Sequence, residues 1–350
     1  MVGIEPASMT AVFCHKAPDR TAETWDQQLV RFPHLEFAIS DAAKGIASAV
    51  ARRAAARRGD PTARGLEQGL DVFHTALEAN RVLTRHWRQA EAAWEKAEQA
   101  EAQVAEAKHR GIDARGPAGP ARVAWSQAIA SFEKAEHQES AWKRARAALD
   151  RFGPDGRLND RLRAAVAIAA AIQDLTGPEW SKVRNFLTDP RSLSFLDRMH
   201  RRLEAAESRP DWREAMAWRW WLRHGHPEPS DPLTELLRGV ARDRELDAEE
   251  QVSYERVAAV LRDRFRASSA VECMNSVLRM QQSRHRRMTQ PMLDLKRLYW
   301  NCRAFRSGPR KDRCPYRALG LELPTDDFWE LLHIDPAQLT QKLSTQGNTG

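Results

Sequence analysis

The chain has 350 residues, 42% of them hydrophobic, and a formal net charge of +7. This length can bury a substantial core in one large or two ordinary domains. No window approaches the roughly 18 uncharged apolar residues that a membrane span requires, so we expect no membrane partner.

The basic charge is concentrated towards the C-terminal end. Residues 256–317 contain 16 Lys or Arg against 4 Asp or Glu, which gives this window +12 and leaves −5 for the rest of the chain. Localised positive charge is typical of a surface that meets polyanions. A basic face that is merely solvated is the alternative.

Four cysteines, Cys14, Cys273, Cys302 and Cys314, include no C-x-x-C pair, and no signal peptide precedes them. This number and spacing of cysteines predict a reducing, cytoplasmic location, in which the thiols fill space in the core as small apolar side chains. The alternative is a zinc site formed by the last three with a histidine, although their spacing matches no standard site.

The first seventy residues predict a small sheet with interspersed helices. "VGIEPASMTAVFCH" is rich in strand formers interrupted by Pro6, "TAETWDQQLVRF" has helical spacing from Thr21, and "LEFAIS" alternates like a strand. The predicted order is therefore strand, strand, helix, strand. A helix over 44–58 and a short strand in "GLDVFH" follow.

A long helical pattern begins near residue 75. Apolar residues at four-three spacing predict a coiled-coil seam, broken by "GIDARGPAGP" at 111–120. Two such helices should form an antiparallel hairpin, the first roughly 50 Å long. The predicted seam consists of Leu83, Trp87, Ala90, Trp94, Ala97 and Val104, then Trp125, Ile129, Phe132, Ala135, Trp142, Ala145 and Leu149.

Further helices are predicted over 158–176 and from near Pro178, Ser192, Asp211 and Asp231. "DWREAMAWRWWLRHG" contains four tryptophans, for which burial in an all-helical segment is favoured over base stacking. After Pro324 we expect a weakly structured tail in which "DDFWELLHI" docks as a short helix.

Two acids follow predicted strands. Asp41 begins "SDAAKGI" and is a candidate cation ligand, while an N-cap role for Ser40 or Asp41 is the alternative. "DVFH" adds a second strand-end acid with His74 nearby.

Glu272 in "SSAVECMNSVLR" has two interpretations. Ser269 and Glu272 have the spacing of a capping box. The same helix also aligns Glu272, Asn275 and Arg279 along one side, and these are groups suited to a metal and a phosphate. The local pattern leaves both open.

The remaining basic residues predict phosphate contacts that do not depend on base sequence and weaken strongly with salt. "TQPMLDLKRLYWNCRAF" should form a helix with Met292, Leu295, Tyr299 and Cys302 as its buried stripe. The candidate DNA-binding residues are Arg284, Arg286, Arg287, Lys296, Arg297, Arg303, Arg306, Arg310 and Lys311.

Taken together, "SDAAKGI", "LDVFH", a long helical stretch and "SSAVECMNSVLR…RH…LDLKRLYWNCRAFRSG…CPYRALGL" resemble a DDE transposase of a bacterial insertion sequence. The resemblance covers about residues 2–322 and is most specific over 268–321. It implies an RNase H-like core interrupted by a large all-helical insertion, with Asp41 as the second catalytic acid and Glu272 as the third. Asn275 and Arg279 then neighbour Glu272, and His74 supports the site.

The expected class is accordingly α+β to mostly α. The expected domains are 1–76 and 261–322 as parts of the catalytic core, 77–260 as the insertion with its hairpin over about 77–150, and 323–350 as a tail.

In such enzymes carboxylates hold two Mg²⁺ or Mn²⁺ ions, which activate the attacking oxygen and stabilise the leaving oxygen at a DNA phosphodiester. The resemblance implies transposon ends and target DNA as partners, association with the nucleoid, and allows a homodimer in the DNA complex.

The resemblance lacks one feature. In the family the first catalytic acid lies on a strand that precedes the segment matching "VGIEPAS", and we do not find that strand in this sequence. Asp19 and Asp26 fall where they should not reach the site, and Glu5 is a weak substitute. We therefore expect a truncated enzyme that is inactive alone. The alternatives are a non-catalytic DNA-binding or assembly module and, less favoured, a helical scaffold.

Overall fold

The computed structural model describes residues 1–58, 65–224, 245–263, 269–284, 287–307, 310–325, 327–335 and 337–338. The described part is mostly helical with two small sheets. It divides into two compact units: unit 1 comprises Met1–Leu35, Ala43–Gly65 and Ala267–Gly350, and unit 2 comprises Glu36–Ala42 and Leu66–Arg266.

The N-terminal part of unit 1 is a β-hairpin followed by two helices. Strands β1 (Val2–Glu5) and β2 (Thr10–Cys14) pair antiparallel, and α1 (Ala22–Leu29) packs against α2 (Lys44–Arg57). The Thr21 side chain accepts the Thr24 N–H, which confirms the predicted start of α1.

The C-terminal part of unit 1 returns to this hairpin. Helix α10 (Ser269–Arg284) packs on β1 and α11 (Gln290–Cys302) packs on β2. The short helices α12 (Pro315–Ala318) and α13 (Phe328–His333) follow. Phe328 and Leu331 are buried against Cys302, so the tail does dock a short helix as predicted.

Two strands of unit 2 form a parallel pair. Strands β3 (Phe37–Ser40) and β4 (Glu67–Leu70) align Ser40 with Leu70. The prediction of a strand through "DVFH" is wrong, because β4 ends at Leu70. Asp71 then caps a helix by accepting the Phe73 N–H, and a side-chain cap of this kind favours helix over a continued strand.

The hairpin is formed by α3 (Val72–His109) and α4 (Arg115–Ala148), as predicted. The break between them is shorter than expected, because α4 already includes Pro117 and Pro120. Pro117 falls in the first helical turn, where backbone N–H groups have no intrahelical acceptor to lose.

The predicted hairpin seam is only partly correct. The large predicted residues in the middle of the seam lie at its margin. Those more than a third exposed are Trp94, Ile129 and Phe132. The predicted residues that are buried are Leu83, Ala90, Ala97, Val104, Ala135, Trp142, Ala145 and Leu149, and Ala128 is buried although the pattern did not include it.

The rest of unit 2 is a helical core. It contains α5 (Arg161–Asp174), α6 (Ser181–Thr188), α7 (Ser194–Ala206), α8 (Pro210–Arg223) and α9 (Ala248–Arg262). Trp218 and Trp220 of α8 are buried, which confirms the packing interpretation of the tryptophan-rich segment. The helix predicted near Asp231 lies outside the described residues.

Helix α9 begins with a capping box that the sequence analysis did not single out. Asp247 accepts the Glu250 N–H, and the Glu250 carboxylate accepts the Asp247 N–H. Across the described ranges, no helix is long and apolar enough to cross a bilayer.

Candidate nucleic-acid interface

Helix α11 binds the backbone of β2 through two side-chain amides. Asn301, which is buried, accepts the Ala11 N–H at 2.8 Å and donates to the Ala11 carbonyl at 3.1 Å. Gln290 donates to the Cys14 carbonyl and accepts the Lys16 N–H, both at 2.9 Å. Each amide thus supplies one donor and one acceptor, as a neighbouring strand residue would.

Two further α11 side chains extend this contact. Arg297 donates to the Val12 carbonyl at 3.2 Å, and the Trp300 indole donates to the Met9 carbonyl at 2.9 Å. Arg297, a candidate DNA-binding residue, therefore also holds the β-hairpin backbone. Together these bonds determine where the chain emerges from β2.

The segment after β2 forms one wall of a cleft of about 760 Å³ that lies within unit 1. Four of its lining side chains are cationic, namely Lys16, Arg20, Arg279 and Arg287, and its floor includes Val2, Leu278 and Leu293. A concave basic surface of this kind concentrates anions, because the low-dielectric walls focus the field of the charges.

Asp19 is the acidic residue among the described lining residues. Its carboxylate accepts hydrogen bonds from the Thr24 hydroxyl at 2.5 Å and the Thr21 hydroxyl at 2.9 Å. These bonds lower the pKa of Asp19, the Thr24 bond most. Asp19 thus orders the start of α1, and the four cations dominate the charge of the cleft.

Gly45 allows α2 to approach the same wall. A Cβ atom at this position would lie 2.1 Å from the Arg20 carbonyl oxygen, much closer than atoms can pack. The glycine of "SDAAKGI" is therefore required by close packing against the segment that carries Lys16 and Arg20.

Helix α10 aligns Glu272, Asn275 and Arg279, as predicted. The Asn275 amide donates to Glu272 at 3.3 Å, and the Arg279 guanidinium lies 3.9 Å from the other carboxylate oxygen. Asn275 and Arg279 line the cleft. The described part of the helix begins at Ser269. The capping-box interpretation of Ser269 and Glu272 stays a prediction, because the residues before Ser269 lie outside the described part.

Asp41 and Asp71 occupy equivalent places at the carboxyl edge of the parallel strand pair. Each directly follows one of the paired residues Ser40 and Leu70, and the Asp71 N–H donates to the Ser40 carbonyl at 2.9 Å. Asp41 is exposed, whereas Asp71 is buried and its carboxylate contacts the His74 imidazole. The N-cap of α2 is Ala43, so neither Ser40 nor Asp41 occupies that position.

The two candidate metal ligands, Asp41 and Glu272, lie in different units. Asp41 belongs to unit 2 and Glu272 to unit 1. Among the residues that the structure describes, no three or more His, Cys, Asp or Glu side chains form a group that could hold a metal ion. The Arg279 guanidinium beside Glu272 also opposes a cation at this carboxylate.

The environments of the cysteines bear on the zinc alternative. Cys302 and Cys314 are buried, Cys273 is exposed, and none is in a disulfide. Burial raises the pKa of the Cys302 thiol to about 11, which opposes the thiolate that zinc binds. The filler interpretation holds for the buried cysteines and is wrong for Cys273.

The candidate DNA-binding residues have three different environments. Exposed side chains include Arg287, Arg303, Arg306 and Lys311, and Lys296 is partly buried. Arg310, like Arg297, binds backbone, donating to the Pro6 and Ala7 carbonyls at about 3 Å, and its DNA-binding role stays a prediction. The Arg284 side chain and Arg286 lie outside the described residues.

The predicted buried stripe of α11 is also partly wrong. Cys302 is buried, but Leu295 and Tyr299 are exposed, and the inward positions include Leu293 and Asn301. Hydrogen bonding to β2 rather than apolar contact alone orients this helix.

Sequence reasoning missed Lys16 and Arg20. Both lie in "HKAPDR", directly after the second predicted strand. A basic pair after a strand was the available signal, but it falls far outside the window 256–317 in which the net charge is concentrated.

No protein-family model, curated protein or solved structure compared with this chain matches it.

Proposed function

We propose that this chain is a transposase-like protein that binds DNA through the cleft of unit 1. The observation that carries the proposal is the convergence of Lys16, Arg20, Arg279 and Arg287 from segments far apart in sequence. The resemblance to DDE transposases, with its RNase H-like core, belongs to the same proposal.

The chemistry of the cleft suits a phosphate backbone. An arginine guanidinium can donate hydrogen bonds to two phosphate oxygens at once, and a lysine ammonium adds a positive charge on a flexible side chain. Val2, Leu278 and Leu293 add apolar lining between these charges. The proposed binding is thus largely independent of base sequence and is driven by release of counterions.

Basic residues outside the cleft extend the surface that we propose contacts DNA. Arg303, Arg306 and Lys311 are exposed on the same unit. Arg297 and Arg310 act differently, because they hold the β-hairpin by donating to its backbone carbonyls. We assign them to positioning the cleft.

The test is a salt titration of DNA binding by the full chain, followed by fluorescence anisotropy of a labelled duplex. If four cations contact phosphates, the logarithm of affinity falls against the logarithm of salt with a slope of roughly −3 to −4. The double variant Arg279→Ala/Arg287→Ala should reduce the steepness of this slope by about 2.

The matched control is Arg52→Ala. Arg52 belongs to the same unit, is exposed and pairs with Glu23 at 2.8 Å, but does not line the cleft. It should leave the slope unchanged. Binding absent at low salt, or equal slopes for all three proteins, would exclude the cleft as the DNA site.

Metal-dependent strand cleavage is a second candidate function. It is favoured by the position of Asp41 at the carboxyl edge of a parallel strand pair, beside the Asp71–His74 contact. The test is nicking of supercoiled DNA with Mg²⁺ or Mn²⁺, comparing the wild-type chain with Asp41→Asn and Glu272→Gln. Cleavage that persists in both variants would refute the assignment, whereas DNA binding by unit 1 is measured without metal.

A further inference from the structure

The α3–α4 hairpin exposes a row of large apolar side chains on one face. Trp94, Phe132 and Ile129 are 40%, 43% and 48% exposed. Ring contacts join the row across the two helices: Trp94 meets Trp125 with centroids 5.0 Å apart, and Trp87 meets Phe132 at 5.2 Å. We call these five residues the aromatic face.

The residues of the aromatic face are exposed because alanines fill the seam between the two helices. Ala90 and Ala97 of α3 and Ala121, Ala128 and Ala135 of α4 are buried, and within each helix they are seven residues apart. Alanines at this spacing let two helices approach closely, so larger side chains are displaced to the margin. The two helices of the hairpin therefore leave Trp94, Ile129 and Phe132 partly exposed.

The described residues of unit 2 outside the hairpin pack mainly against its base. The core of unit 2 includes α3 residues only as far as Leu83 and α4 residues only from Ala141. The aromatic face lies largely beyond these limits. A cluster of exposed aromatic residues on a soluble surface commonly marks a protein interface.

We propose that the aromatic face binds the same face of a second copy of this chain, so that two hairpins form a four-helix bundle. A two-fold axis parallel to the hairpins brings the two aromatic faces together at the same level. It also places α3 of each copy against α4 of the other.

Charge complementarity supports this pairing. Residues 89–109 of α3 include five acidic and two basic residues, whereas residues 115–130 of α4, which lie alongside them, include two basic residues and no acidic residue. Bringing α3 against the partner's α4 therefore opposes unlike charges. Glu98 and Arg122 are placed to meet in this way, because both border the level of the Trp94–Trp125 contact.

The same charges argue against a polyanion on this face. The Trp94 indole donates to Glu98 at 3.1 Å, and Glu91 and Glu101 lie three and seven residues from Trp94 on the same side of the helix. Carboxylates beside the rings repel DNA phosphates and anionic lipids alike.

The available area suits a symmetric pair. At 40–48% exposure, Trp94, Ile129 and Phe132 each leave on the order of 100 Å² uncovered. With the partly exposed Trp87 and Trp125, two copies would bury roughly 800 Å² of apolar surface, about half of a standard interface. The flanking charged side chains of four long helices can supply the remainder.

The test measures the mass of the full chain by sedimentation equilibrium, without DNA. The wild-type chain should be a dimer. Trp94→Glu/Phe132→Glu should weaken association at least about 100-fold while circular dichroism keeps its helix content. The matched control is Leu162→Glu/Val166→Glu on α5, since these residues are 74% and 64% exposed outside the face; this variant should remain a dimer.

A charge exchange tests the predicted pairing directly. Glu98→Lys and Arg122→Glu should each weaken the homodimer, and mixing the two variants should restore association. A wild-type monomer at all concentrations, or a dimer that survives Trp94→Glu/Phe132→Glu, would overturn the proposal. Loss of DNA binding by that variant without a change in mass would assign the face to nucleic acid instead.

Discussion

The Asn301 side chain forms two hydrogen bonds with the backbone of Ala11, one to the N–H and one to the carbonyl. A helix residue thereby replaces the pairing that a neighbouring strand would provide to β2. This relationship joins residues 290 positions apart, and it determines where the basic segment after β2 lies.

Replacing Asn301 with leucine should destabilise unit 1. The change leaves a buried N–H and a buried carbonyl without their partner at similar side-chain volume, which costs about 2–4 kcal/mol. The free energy of unfolding in urea measures this loss. Asn185→Ala alters an exposed asparagine of α6 and should cost less than about 0.5 kcal/mol. Equal stability of Asn301→Leu and the wild type would contradict a structural role.

Gly45→Ala should displace the wall of the cleft. The added methyl carbon would lie 2.1 Å from the Arg20 carbonyl oxygen, so α2 or the segment carrying Lys16 must move. We expect both lower stability and weaker DNA binding. Gly116→Ala is the matched control, because a Cβ atom there meets open space; alanine in that helix should be neutral or stabilise by about 0.5–1 kcal/mol. Unchanged DNA binding by Gly45→Ala would show that this contact does not shape the cleft.

The four thiols should react in two groups. Cys273 is exposed, whereas Cys14, Cys302 and Cys314 are buried, and burial raises the pKa of Cys14 and Cys302. A chromogenic disulfide reagent at pH 8 should therefore modify one thiol rapidly in the native chain and all four in urea. Cys273→Ser should abolish the rapid phase. Rapid modification that persists in this variant would mean that unit 1 opens readily.

Lowering the pH should remove the stabilising contribution of the Glu207 carboxylate in unit 2. Hydrogen bonds from Arg209 and then Ser253 lower the pKa of Glu207 from 4.5 to about 2. Because the folded-state pKa is the lower one, this contribution is complete above about pH 5 and is lost as the pH falls towards 2.

The stability difference between wild type and Glu207→Gln should consequently shrink between pH 5 and pH 2. Urea midpoints at several pH values measure it, and Glu91→Gln, an exposed residue on the hairpin, should show no such trend. A difference that is constant with pH would mean that the Glu207 carboxylate has an ordinary pKa.

Local patterns were reliable where neighbouring residues determine the structure. The start of α1 at Thr21, strand β3, the long hairpin and the alignment of Glu272 with Arg279 all follow from spacing and capping within a few turns. The transposase resemblance and the metal-dependent activity remain predictions that the proposed experiments test.

Sequence patterns were less informative where a residue contacts a helix or strand that is distant in the sequence. Apolar spacing predicted Trp94 and Phe132 as seam residues, but the alanines pack closely and exclude them. The charge pattern named Arg297 and Arg310 as DNA-binding candidates but did not predict that they donate to carbonyls of the β-hairpin.

The sequence alone therefore determined most helices, most strands and the location of the strongest positive charge, because these depend on interactions between near neighbours. Only the tertiary structure decided which cations surround the cleft. Lys16 and Arg20 meet Arg279 and Arg287 there, since the amides of Gln290 and Asn301 fix the helix against β2. Hydrogen bonds between residues hundreds of positions apart leave no periodic signal in a single sequence.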